Sequence, residues 1–154
     1  MMIRDAVSED AAAACEVMRR SIAELCAPDH RNDPEFLQRW LSNKTPDIFK
    51  SWIRSGNVLL VAVEGASIVA VGGVTDAGEI TLNYVSPDAR FRGVSTAMLD
   101  ALERRARERG NRRCRLNSTQ TALRFYLARG YSQDDPGEGK FGTNSAYPVS
   151  KQLE

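Results

Sequence analysis

Arg90, Arg92, Gly93, Ser95 and Thr96 lie within seven residues of one another, immediately ahead of a segment with helical periodicity. The first backbone N–H groups of a helix have no partner inside it, and the helix dipole concentrates partial positive charge there. Gly93 has no side chain to hold an anion away, the Ser95 and Thr96 hydroxyls are further donors, and two guanidinium groups bring full charge. That combination can hold a phosphate or a pyrophosphate. A solvated pair of arginines is the other reading of the same residues. The turn matches neither the Gly-x-x-x-x-Gly-Lys phosphate loop nor the Gly-x-Gly-x-x-Gly dinucleotide loop.

The elements around the turn must position it. A strand-like run, Glu79 to Val85, leads in, and a helix with apolar residues at 94, 97, 98, 101, 102 and 106 leads out. Asp100, Glu103, Arg104, Arg107 and Glu108 fall on its other side. Asp100–Arg104 and Glu103–Arg107 are spaced as i, i+4 pairs, and Gly110 is placed to end the helix. Upstream, Met1 to Val7 reads as a strand. Ser8 reads as the cap of a helix carrying Cys15, Met18, Ile22 and Leu25, and Ala27 to Asn32 as a loop. Asp33-Pro34 and Thr45-Pro46 are cap-then-proline starts, with Phe36, Leu37, Trp40, Leu41 and Ile48, Phe49, Trp52, Ile53 as the apolar faces behind them. Asn57 to Val63 and Ser67 to Val74 are strands around a Glu64-Gly65-Ala66 hairpin turn. Asp76-Ala77-Gly78 makes the turn into the third consecutive strand.

Downstream, Arg113 to Ser118 reads as a strand, Gln120 to Arg129 as a helix ended by Gly130, and Tyr131 onward as strand. Gly137, Gly139 and Gly142 predict a mobile loop before a last strand, Ser145 to Ser150, in which Pro148 suggests a sheet edge. The order is β-α-α-β-β-β-α-β-α-β-β. This is an α/β (mixed α+β) class: a single domain over residues 1–154, with one central mixed, twisted sheet and helices on both faces.

Composition narrows the function. The chain has 154 residues, 42% hydrophobic and 27% charged, which is the profile of a globular domain. A net charge of +1 gives no global field to recruit nucleic acid. Locally, residues 90–115 hold nine arginines against three acids, which suits an anionic ligand or a solvated helix face. The three cysteines, Cys15, Cys26 and Cys114, have no paired spacing and predict reduced thiols. No stretch is apolar enough to span a bilayer, so a cytoplasmic location and no membrane partner are the expectations. A single histidine, His30, argues against a histidine metal site or a serine–histidine triad, and no metal is expected.

At this point the chain resembles the GCN5-related N-acetyltransferases (GNAT). Their signature places Gln or Arg three residues before Gly, with Gly or Ala two residues after it. Arg90-x-x-Gly93-x-Ser95 stands in that place. A second family mark, an Ala followed by an aromatic-Tyr pair and then Gly, is matched by Ala122, Phe125, Tyr126, Gly130 and Tyr131. The two motifs, with matching element order, cover the chain from about 55 to 131. The resemblance implies an acetyl-CoA-dependent transfer of an acetyl group to an amine by direct attack. It implies that N–H groups from Arg90 or Phe91 through Arg92, Gly93, Val94, Ser95 and Thr96 hold the CoA pyrophosphate. The Tyr84–Val85 backbone would bond the pantetheine arm, with Phe125 beside the same ligand. Two positions depart from the pattern. Ser95 replaces the usual small residue. Thr119 stands where many members carry an Asn that contacts pantetheine, with Asn117 two residues earlier on the strand.

The resemblance also implies a role for Tyr126, as the acid that protonates the departing CoA thiolate; taken without it, Tyr126 reads as a core aromatic. Transfer to an amine needs that amine neutral, and a lysine-like amine with pKa about 10.4 is protonated at pH 7. Glu79 is the candidate base, on the same strand face as Thr81 and Asn83, with a solvated strand-end carboxylate as its alternative. A Cys114 nucleophile, a substrate contact from His30, and acceptor attraction by Glu24, Asp29 or Asp33 are all outweighed by packing or solvated roles. The expected partner is a small-molecule or peptide amine, with a homodimer open and nucleic acid disfavoured. Two alternative functions stand beside the enzyme: a non-catalytic CoA-binding sensor of the same fold, and a nucleic-acid binder using the arginines of 90–115.

Overall fold

A computed structural model of the chain describes residues 1–134 and 147–154. It begins with β1 (Met2–Asp5), a 3-10 turn (Ser8–Asp10) and four helices: α1 (Ala11–Leu25), α2 (Ala27–His30), α3 (Pro34–Leu41) and α4 (Pro46–Arg54). Then come β2 (Val58–Glu64), β3 (Ser67–Val74), β4 (Ile80–Val85), a second 3-10 turn (Pro87–Ala89) and α5 (Val94–Glu108). The described chain closes with β5 (Arg113–Ser118), α6 (Leu123–Ala128), β6 (Ser132–Gln133) and β7 (Tyr147–Gln152). Four helices thus precede β2, where the expected order allowed two. The glycines 137, 139 and 142 and the first residues of the expected last strand lie outside the described residues.

Local chemistry explains most of the starts. Asp33 accepts the N–H groups of Glu35 and Phe36 at 3.0 and 3.4 Å, Thr45 accepts that of Ile48 at 3.4 Å, and a proline follows each cap. The first helix departs from expectation. Ser8 does not cap it. Instead Asp10 takes the Val7 N–H at 2.8 Å while pairing with Arg4, which turns the chain into α1.

β1 to β4 form an antiparallel sheet in sequence order. The apolar run of β2 is buried on both faces. Val58, Leu60 and Ala62 pack with Met98, Leu99 and Leu102 of α5, whereas Leu59 and Val61 pack with Val17 and Met18 of α1 and Phe49 of α4. The face of α5 turned to that core includes Glu103, contrary to its expected solvent pairing with Arg107. Glu103 is 4% exposed, accepts the Tyr131 hydroxyl at 2.8 Å and pairs with Lys151 at 3.0 Å, tying α5 to the second sheet.

That second sheet has the order β5-β7-β6. Pro148 therefore sits in a middle strand, paired with Asn117 of β5. Its carbonyl accepts the Asp134 N–H at 2.8 Å on the β6 side, where β6 has already ended at Gln133. The N–H that proline lacks is on that same side, so the β5–β7 ladder loses no bond.

The two sheets meet at one parallel bridge, Glu79 with Arg115, reinforced by the Arg115 N–H donating to the Gly78 carbonyl at 3.0 Å. Gly78 has φ +82°, and a Cβ there would lie 2.5 Å from the Arg113 carbonyl, so only glycine allows this approach. Beyond the bridge, β4 and β5 have no further pairing. The expected mixed sheet is thus two hydrogen-bonded sheets, and a cleft opens where they part.

Candidate active site

The cleft continues into a cavity of about 580 Å³. Its walls come from the end of α1, from β4, from the turn into α5, from the end of β5 and from α6. The turn is built from residues with special backbones. The Ser86 hydroxyl accepts the Asp88 N–H at 3.2 Å, and Asp88 is held by Arg20 of α1 at 2.9 Å. Gly93 is the residue before α5, with φ +77°, and a Cβ on it would meet nothing within 4 Å. The glycine is therefore required by its left-handed backbone rather than by crowding. Gly93 has no side chain to cap α5, and among the described residues no other side chain does so. The leading N–H groups of the helix are left to the cavity, which Gly93, Val94, Ser95 and Thr96 all line.

Twelve of the fourteen candidate site residues line this cavity: Tyr84, Val85, Arg90, Phe91, Gly93, Val94, Ser95, Thr96, Asn117, Thr119, Phe125 and Tyr126. Glu79 and Arg92 are not among the lining residues. Glu79 sits at the bridge between the sheets, its carboxylate 3.6 Å from Arg115. Arg92 turns away to Glu64 of β2 at 2.7 Å. Arg90 stacks over Phe91 at 4.6 Å, and Phe91 itself is 91% exposed with φ +63°.

Tyr126 reaches the cavity from α6. Its ring is clamped edge-on by Phe125 and Tyr131, with centroids 5.2 and 5.5 Å away. Its hydroxyl oxygen accepts Nδ2–H of Asn83 at 3.1 Å. Burial pushes the phenol up to about 12, opposed by the Asn83 hydrogen bond, so it is protonated at neutral pH. Tyr84 is pushed up by the same desolvation and accepts the Trp40 indole N–H at 3.3 Å. Cys26 also lines the cavity, and burial pushes its thiol up to about 12, which rules it out as a resident thiolate. Cys114 is buried in the core away from the cavity, at about 11, and serves packing.

Several side chains carry more than the sequence suggested. Asp29, expected in solvent, is 5% exposed and accepts the N–H groups of Gln120 and Thr121 at 2.6 and 3.1 Å. The Thr121 hydroxyl donates to the same carboxylate at 2.5 Å, and Thr119 Oγ1 accepts the next N–H, of Ala122, at 3.1 Å. Asp29 thereby fixes the turn leading into α6. His30, expected on a surface loop, is 1% exposed; its Nε2 lies 3.0 Å from the Ile22 carbonyl and its Nδ1 accepts the Asn32 N–H. Arg129 lines the cavity, donates Nε–H to Thr96 Oγ1 at 2.9 Å and stacks over Phe125 at 4.0 Å. Its position four residues after Phe125 on a helix was the available signal.

Among the described residues, five of the nine arginines in 90–115 are ion-paired: 92 with Glu64, 105 with Asp5, 109 with Asp76, 113 with Asp134 and 115 with Glu79. These pairs offset part of the positive charge of the run. Among the described residues, no three His, Cys, Asp or Glu side chains cluster as a metal site requires, and no helix is long and apolar enough to cross a membrane.

The sequence model of the acetyltransferase (GNAT) domain matches residues 26–144. The chain belongs to the GNAT acetyltransferase family. It is an acyltransferase by that membership, and its α/β architecture is that of solved members. A GCN5-related N-acetyltransferase of Rhodopseudomonas palustris is 26% identical over 99% of this chain and 95% of its own, with a TM-score of 0.88. The PaiA N-acetyltransferase of Thermoplasma acidophilum, solved with coenzyme A, is 18% identical over 99% and 98% of the two chains, with a TM-score of 0.86. The putative acetyltransferase yncA of Salmonella typhimurium, solved with acetyl-CoA, is 19% identical over 100% and 94%, with a TM-score of 0.73. No curated protein matches the chain.

Proposed function

We propose that this GNAT domain transfers an acetyl group from acetyl-CoA to an amine by direct attack, with Tyr126 as the acid. The reading rests on one observation above the rest. A protonated phenol stands at the wall of the cavity, held by Asn83 at 3.1 Å, on the helix that faces the uncapped start of α5. The cavity's residues fit such a ligand. The N–H groups from Gly93 to Thr96 suit a pyrophosphate, the open space at Gly93 leaves room for it, and the β4–β5 cleft is a slot for an extended arm.

Acetyl-CoA supplies an activated acyl carbon. The amine nitrogen forms the new C–N bond as the C–S bond breaks, and the electron pair leaves on sulfur. Tyr126 gives its proton to that sulfur, and the surplus proton of the nitrogen returns to the phenolate, so the phenol ends as it began. The amine enters neutral. Glu79, paired with Arg115 at the sheet junction, is left out of this scheme. A positioned acid contributes about 10²–10⁴-fold.

The test is release of free thiol from acetyl-CoA with amines that the wild type accepts. Tyr126→Phe is expected to lower turnover by about 10²-fold while the Kd for acetyl-CoA stays unchanged. Unchanged turnover would remove the acid role.

A further inference from the structure

Asn83 stands out on β4. Its neighbours Leu82 and Tyr84 face the α1 side of the sheet, and Val85 faces the α5 core. Alternation places Asn83 on the face of Val85, towards α6, where it lines the cavity. A half-buried amide on such a surface needs a partner, and among the described residues its side chain makes one hydrogen bond, to Tyr126 Oη.

The ring of Tyr126 does not depend on that bond for its place, because Phe125 and Tyr131 clamp it and it is 5% exposed. What aromatic packing leaves free is the torsion of the O–H. A phenol has one proton to give and lone pairs to accept with. With the Asn83 N–H occupying an acceptor position on the oxygen, the proton is turned elsewhere.

We infer that Asn83 is a positioning residue: its amide N–H holds the Tyr126 oxygen so that the phenol proton is directed to the reacting sulfur. The inference rests on the reading of Tyr126 as the acid. The same donation favours the phenolate that proton transfer leaves behind. Asn83 thus acts on the proton's direction and on the charge that follows its departure, not on ring placement or on ligand affinity.

The experiment is a double-mutant cycle in the free-thiol assay, with acetyl-CoA and any amine the wild type accepts. Asn83→Leu removes the donor, and Asn83→Asp replaces it with a carboxylate that accepts the phenol proton. Each is expected to lower kcat about tenfold with the KM for acetyl-CoA and the melting temperature held. In a Tyr126→Phe background, Asn83→Leu is expected to change kcat by less than about twofold, because no proton is left to direct. Tyr126→Phe losing turnover while Asn83→Leu keeps it would overturn this inference alone. An equal loss from Asn83→Leu in both backgrounds would overturn it too. Full turnover in Tyr126→Phe would remove the acid reading and this inference with it.

Discussion

The carboxylate of Asp29 accepts the backbone N–H of Gln120 at 2.6 Å, joining positions 91 residues apart in the chain. Two further bonds from Thr121 complete a three-donor cradle. The end of α1, one wall of the cavity, is thereby fastened, through the short α2 that follows it, to the turn that delivers Phe125 and Tyr126.

Removing that carboxylate strands two backbone N–H groups and a hydroxyl in a partly buried place. Asp29→Ala is expected to lower unfolding stability by about 2–3 kcal/mol, and Asp29→Asn by less, since an amide oxygen still accepts. Urea unfolding of both variants checks this. Equal stability of all three proteins would show that the cradle holds nothing that matters to the fold.

Asp29 also marks the limit of what the sequence could say. The turn into α5 was legible because its chemistry is local: a glycine at φ +77°, two hydroxyls and a helix start within a few residues. The caps at Asp33 and Thr45 were legible for the same reason. Asp29, His30 and Glu103 were read as solvated or surface groups because their partners lie on distant elements or on backbone that only the fold brings near. Glu79 shows a different effect. Alternation put it on the face of Asn83, but the register shift at Thr81 interrupts that alternation, with Ile80 in the α5 core and Leu82 on the α1 side. Glu79 stands at the sheet junction beside Arg115, while Asn83 meets Tyr126. The expected role of Tyr126 needed the family motif as well as its helical spacing.

Lys44 gives a pH signature. It is 6% exposed beside Cys15, its ammonium hydrogen-bonded to Asn43 Oδ1 at 2.6 Å, and burial pushes it down to about 8 from 10.5. Between those two values the unfolded chain binds the proton and the folded one does not, so stability rises with pH across that window. It is lost again as pH falls through about 8. Relative to Lys44→Met, the wild type is expected to gain roughly 3 kcal/mol between pH 8 and pH 10.5. Comparing the two proteins by urea unfolding at each pH cancels the other titrating groups. Parallel stability profiles would contradict the burial of a charged amine.

The proposed transfer requires acetyl-CoA in the cavity at the start of α5, and calorimetric titration of acetyl-CoA tests that most directly. Wild-type protein is expected to bind in the micromolar range. Gly93→Asp sets a carboxylate and a strained left-handed backbone at the helix start, and is expected to weaken binding at least about tenfold. Arg92→Ala, whose guanidinium is committed to Glu64 outside the cavity, is expected to stay within about twofold of wild type. Folded wild-type protein that takes up no acetyl-CoA, or a Gly93→Asp variant that binds it as tightly, would contradict binding at this cavity.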